Sequence, residues 1–165
     1  MEIVQPIPFK GFWIRAVANF LDIIIIVIFS AVTSLLLLLA VGKILGDIGV
    51  VTTALILLVL FIVGMLLYKP LMEASDYQGT FGKHILSMKI VDKSGRKITL
   101  SKSFVRSIIH ILHFVIPVIN SFSWLAFLVI GFTEQKQGLH DIVAETYVVT
   151  KHWDAPIPLE DNFGA

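Results

Sequence analysis

No cysteine occurs among the 165 residues of the chain. Disulfides, thiolate metal sites and cysteine nucleophiles are therefore excluded. Charge is scarce as well. Asp, Glu, Lys and Arg make up 15% of the chain against 56% hydrophobic residues, whereas a soluble domain carries about a quarter charged residues. No Gly-x-Ser-x-Gly, His-Glu-x-x-His or paired-carboxylate motif is present, so no nucleophile–base set is visible, and neither an enzyme nor a cofactor is expected. "GTFGK" at Gly79–Lys83 resembles a fragment of a phosphate loop but lacks its spacing and the Ser or Thr after the lysine. The glycines are expected to serve a turn. A net charge of +1 gives no sign of nucleic-acid binding.

What the sequence does have is long apolar runs. Nineteen residues from Ile23 to Val41 and twenty-one from Ile48 to Tyr68 carry no charge, and a bilayer core needs about 20 apolar residues per helix. The first run is too long for a cleaved signal peptide and no small-residue cleavage motif follows it. These features predict an all-α, multi-pass protein of the cell membrane, with spans at about 16–41 and 48–68 and a third hydrophobic region at 102–133. Eight of the thirteen Lys and Arg fall between Lys69 and Arg106. Positive residues stay cytoplasmic, which places the N-terminus inside, the Val41–Ile48 loop outside and the 69–101 segment inside.

That inner segment is patterned. "ILSMKIV" and "KIT" flank the turn signal "DKSG", predicting a small β-hairpin near Leu86–Leu100 with Leu86, Met88, Ile90 and Ile98 on one buried face. "ETYVVT" at Glu145–Thr150 is a second β-prone run. In the third region Lys102, Arg106, His110 and His113 form one polar stripe on a helix, and Pro117, Asn120, Ser121 and Ser123 interrupt the uncharged run that follows. Either an interfacial helix leads into a kinked third span, or a helical hairpin turns near Pro117–Ser123 and returns to the cytoplasm. Pairing of "ETYVVT" with "MKIV" would need both on one side; it favours the hairpin and a cytoplasmic C-terminus. Residues 1–151 read as one membrane domain, and residues 152–165, with two prolines and three acids, as a mobile tail.

Candidate site residues cluster where the chain enters its first apolar run. In "FWIRAVANFLD", Arg15, Asn19 and Asp22 are spaced i, i+4, i+7 and share a helix face. A charge at the centre of a membrane helix costs roughly 2.5–3.5 kcal/mol on insertion scales, which makes Asp22 a functional candidate. The plainer reading has Arg15 snorkelling to headgroups and Asp22 as a wetted boundary residue. Arg15 and Asp22 lie about 10 Å apart along a helix axis, so each is expected to find a partner elsewhere: Asp141 for Arg15, and Arg106 or His110 for Asp22. His110 and His113 share a face that could relay protons or hold metal, yet no further ligand has diagnostic spacing and no metal is assigned. His140 and Asp141 are adjacent and do not form a dyad by spacing.

Three stretches, "FWIRAVANFLD", "GTFGKHILSMKIVDKSGRKITLSKSFVR" and "KQGLHDIVAETYVV", together resemble the RDD family of membrane proteins, named for one arginine and two aspartates. The resemblance covers nearly the whole chain in the family's order. It implies that the family's arginine is Arg15, its first aspartate Asp22 and its second Asp141. One departure is "AETYVV", where many members read Ala-Gly-Thr, so that Glu145 stands in place of a glycine. The family is described as transporter-like, with a link to cation–proton exchange. The resemblance thus implies a small transporter or transporter subunit with a polar site of Arg15, Asn19, Asp22, Arg106, His110, His113 and Asp141. Its partners would be the lipid bilayer, a monovalent cation or proton, and a second copy or another membrane protein to widen a narrow path. The alternative is a non-transporting assembly or regulatory module whose Arg and Asp residues pin helices together.

Overall fold

A computed structural model of the chain describes residues 9–115, 133 and 135–158, the side chains of 113–115 excepted. The described chain is mostly helical with one small sheet. In order, the elements are α1 (Phe12–Glu73), α2 (Phe81–Ile85), β1 (Met88–Asp92), α3 (Leu100–Val115), α4 (Leu139–Val143) and β2 (Thr146–Thr150).

α1 is 62 residues long and would span about 93 Å if straight. It is not straight. Gly46 breaks it with φ 66° and ψ −158°, a left-handed conformation that glycine adopts without the clash a Cβ would bring. The arms on either side fold back on each other, since Tyr68 Oη donates to Asp22 Oδ1 at 2.9 Å. The expected Val41–Ile48 loop is therefore helix except at Gly46, because one left-handed residue suffices to reverse the chain. The two apolar runs lie on the two arms of one long apolar helix, before and after Gly46. Its most apolar 18-residue stretch buries none of its residues inside the protein.

The sheet forms at the open end of the arms. β1 and β2 pair antiparallel, from Met88↔Thr150 to Asp92↔Thr146, as the alternative pairing anticipated. The hairpin expected within Leu86–Leu100 shrinks to one bridge, Val91↔Lys97. Asp92 Oδ1 closes the turn by accepting from the Ser94 N–H (2.8 Å), the Ser94 hydroxyl (2.6 Å) and the Arg96 N–H (3.0 Å). The chain then leaves the ladder because Thr99 is needed at the start of α3, where its hydroxyl accepts from the Lys102 N–H at 3.3 Å.

A two-stranded sheet is marginal alone, and this one is covered on both faces. Met88, Ile90 and Val148 pack with Ile98 against Ala18 of α1, with Leu86 and Ile14 at the edge. Val91, Tyr147 and Val149 pack on the other face with Ile157, flanked by Phe9 and Trp153. The Ile157 N–H donates to the Lys93 carbonyl at 3.1 Å. Trp153 and Ile157 thus lie on the sheet, where Ile157 supplies the apolar cover that face lacks. The rest of the expected tail, 159–165, is outside the described residues.

α3 turns its polar stripe inward. Ser103, Arg106 and Ser107 are buried while Val105, Ile108, Ile111 and Leu112 face out, the reverse of a helix on a soluble protein. His113 lies on α3 outside the described side chains. The choice between a hairpin and a kinked third span falls on 116–132, also outside them.

α2 sits directly on α1. A Cβ at Gly82 would lie 2.0 Å from the Ala18 carbonyl oxygen, so only glycine permits this approach. Gly82→Ala is expected to force the two apart and cost about 1–3 kcal/mol, read as a lowered melting temperature in detergent. An unchanged melting temperature would mean that α2 is not seated there.

Candidate functional site

Five buried charged side chains form an alternating chain at the base of the arms. Arg15, brought by the first turn of α1, places Nη1 2.6 Å from Asp141 Oδ2 on α4. Arg106 of α3 places Nη1 2.7 Å from Asp141 Oδ1 and Nε 3.2 Å from Glu73 Oε2 at the end of α1. Glu73 Oε1 in turn meets Lys83 Nζ of α2 at 2.5 Å. The side chains of all five are at most 8% exposed.

Backbone groups complete the setting. Arg15 Nε donates to the Lys10 carbonyl (2.8 Å) and Nη2 to the Lys136 carbonyl (2.7 Å). The Gly138 N–H donates to Asp141 Oδ2 at 3.1 Å, so Asp141 also closes the first turn of its own helix. Arg106 Nη1 bonds the Thr146 hydroxyl at the start of β2.

Asp22 has different partners from those expected. It meets neither Arg106 nor His110. Its Oδ1 accepts from Tyr68 Oη (2.9 Å) and from the Gly82 N–H (2.7 Å). Thr80, the residue before α2, makes no side-chain cap bond, and Asp22 supplies the missing acceptor from another helix. Its Oδ2 is buried with no hydrogen-bond partner among the described residues. Asn19 Oδ1 lies 3.5 Å from Lys69 Nζ. His110 and His140 meet edge to face, ring centres 5.3 Å apart.

These groups line a cavity of about 530 Å³ between the arms and α3. Lys69, Glu73, Lys83, Arg106, His110 and His140 line its polar part with Arg15, Asn19 and Asp22, while Phe12, Phe20, Ile23, Ile26 and Met65 form apolar wall. The structure thus brings together Arg15, Asn19, Asp22, Arg106 and His110 around one space, with Asp141 behind Arg15 and Arg106. Sequence spacing missed Glu73, Lys83, Lys69 and His140. The only hint was that Lys69 and Glu73 are the first charges after the apolar run that ends at Tyr68.

The field of the neighbours fixes the protonation states. Burial alone would raise the Glu73 carboxyl, but Lys83 and Arg106 outweigh it and hold it at about 2. Burial likewise opposes ionisation of Asp141, and Arg106, His140, Arg15 and the Gly138 N–H together hold it well below the usual carboxylate range. For His140 burial wins over the nearby Asp141 and depresses the imidazole to about 4, helped by Arg106 and Lys83. Near neutral pH His140 is uncharged and both carboxylates are ionised.

At Glu145 the backbone takes φ 51°, the left-handed region that favours glycine. This accounts for the glycine that many members of the resembling family carry here. The side chain is held by Lys102 at 3.4 Å.

Asp141→Asn should destabilise the protein by roughly 3–5 kcal/mol, because it leaves Arg15 buried without a carboxylate, and Arg15→Gln by less, because Asp141 keeps Arg106. The double variant should cost clearly less than the sum, measured as denaturation in detergent; strict additivity would reject the contact. Stability should also fall on acidification. Unfolded His140 takes up a proton near its ordinary 6.5, the folded one only near 4, so between those values the unfolded state binds more protons. Glu73 extends the loss from 4.5 towards 2. A melting temperature that drops from pH 6.5 to 4.5, with a shallower slope in His140→Gln, is the expected profile.

The RDD family profile matches residues 9–145. The uncharacterized protein YxaI of Bacillus subtilis (strain 168) is 32% identical over 157 residues, covering 86% of this chain and 97% of its own. The uncharacterized protein YckC of the same organism is 34% identical over 152 residues, covering 90% and 87%. No solved structure matches. With a match that runs from the bridge at Phe9 to the turn at Glu145, the chain is a membrane-associated member of the RDD family.

Proposed function

We propose that the chain is a multi-pass membrane protein acting as a non-transporting assembly or regulatory module. In this reading the charges from Arg15 to Lys83 pin a cytoplasmic cap onto a membrane hairpin. The observation that carries it is that Asp141 and Glu73 each sit between two cations and ionise far below neutral pH. A carboxylate that trades a proton for a cation must titrate near the working pH, and these two do not. The outward apolar faces of α1 and α3 support membrane placement. Phe9 and Ile157 both lie on the sheet, which supports termini leaving on the same, basic side, available to a partner protein or a second copy.

One observation favours the second reading, a small transporter exchanging cations and protons. Asp22 Oδ2 is buried, unpartnered among the described residues, and belongs to a residue lining the cavity. Proteoliposomes holding a pH gradient separate the two. The module reading expects no cation-dependent proton flux above empty vesicles on sodium or potassium pulses, and expects Asp22→Asn to lower thermal stability through the loosened α2. Flux in the wild type that disappears in a fully folded Asp22→Asn variant would establish the transporter instead.

A further inference from the structure

The cavity carries unbalanced charge. Arg15, Lys69, Lys83 and Arg106 line it with Asp22 and Glu73, and Asp141 lies behind Arg15 and Arg106. Counting Lys, Arg, Asp and Glu, four cations face three carboxylates. Arg15, Arg106 and Lys83 share the two carboxylates of Asp141 and Glu73, while Lys69 has, among the described residues, only the long contact to Asn19 Oδ1 at 3.5 Å and no carboxylate within ion-pair distance. A cavity with one positive charge in excess, and a half-buried lysine outside every ion pair, favours an anion there.

Two further features narrow the anion. Phe20, Ile23 and Ile26 on the first arm and Met65 on the second wall the same space, which suits an alkyl chain and not a hydrated ion. Asp22 Oδ2 is a buried acceptor in want of a donor, and leaving it unmade is costly. An occupant that meets all three demands carries one negative charge, a hydroxyl beside it and an apolar tail.

We propose that the cavity is a binding site for an anionic, hydroxyl-bearing membrane phospholipid of the phosphatidylglycerol class. Its phosphate lies against Lys69, its headgroup hydroxyl donates to Asp22 Oδ2, and its acyl chain leaves along Ile23, Ile26 and Met65. The charge complementarity at Lys69 chooses an anionic lipid over a zwitterionic one, and the orphan oxygen chooses a headgroup with a donor. The inference rests on the membrane placement proposed above and not on either reading of activity.

Native mass spectrometry of the full chain, purified in mild detergent with defined lipids, tests it. The wild type should retain phosphatidylglycerol over phosphatidylcholine by about tenfold, and over phosphatidylmethanol, which has the same charge and no hydroxyl, by a smaller margin. Lys69→Met should abolish the preference over phosphatidylcholine, Lys69→Arg should keep it, and Lys43→Met at the far end of the arms should leave it unchanged. Ile26→Trp fills the apolar wall without touching the charges and should reduce total lipid retained; it decides the matter if Lys69→Met does not fold. Equal retention of the three lipids by the wild type, a preference that survives Lys69→Met, or full retention in Ile26→Trp would overturn the proposal. So would displacement of the lipid by equimolar glycerol phosphate, which would assign the site to a soluble anion. A chain that stays soluble without detergent would instead overturn the membrane placement.

Discussion

Asp141 is a fully buried carboxylate held between two guanidinium groups, and the fold is arranged around keeping it there. Taking such an ion out of water costs several kcal/mol after relaxation, and only close opposite charges and hydrogen bonds offset that cost. The partners come from three places: Arg15 from the first turn of α1, Arg106 from α3, and the Gly138 N–H from the residue preceding α4. None of these is near the others in sequence. The carboxylate therefore does for this small protein what a hydrophobic core does for a soluble one, in a region where the apolar side chains point outward. Glu73 repeats the device one step further and ties in α2 through Lys83.

The two aspartates Asp22 and Asp141 are not equivalent. Asp141 is saturated with charge, whereas Asp22 bonds a tyrosine hydroxyl and a backbone N–H and leaves one oxygen over. The first arrangement fixes geometry, because any motion exposes an unpaired ion. The second tolerates exchange, because its partners are neutral. The fold thus places a rigid clamp and an adaptable acceptor about the same cavity.

Much of this was legible in the residues. The apolar runs foretold α1, the period-two pattern of Leu86, Met88 and Ile90 foretold a buried strand face, and the two-turn separation of Arg15 from Asp22 foretold that Arg15 would reach for Asp141. What was not legible had a common cause. Asp22 bonds a main-chain N–H at Gly82, and every non-proline residue carries that group, so side-chain identity could not point to it. The glycines of "GTFGK" were recognised as turn-formers, but the close approach of Gly82 to the Ala18 carbonyl depends on a helix sixty residues upstream. Glu73 finds Lys83 across a chain reversal and Arg106 across a strand and a turn, distances at which no helical or strand periodicity applies. The reach of the "DKSG" turn was overread because Thr99 serves two elements, and the next helix takes it.

The reversal at Gly46 has a consequence for how the molecule can be approached. It uses one non-helical residue, and the only ionisable side chains near it are Lys43 and Asp47. A bend that short presents no extended segment to a protease, a modifying enzyme or a binding protein. Among the described residues the ion pairs and both strands are gathered at the opposite extremity.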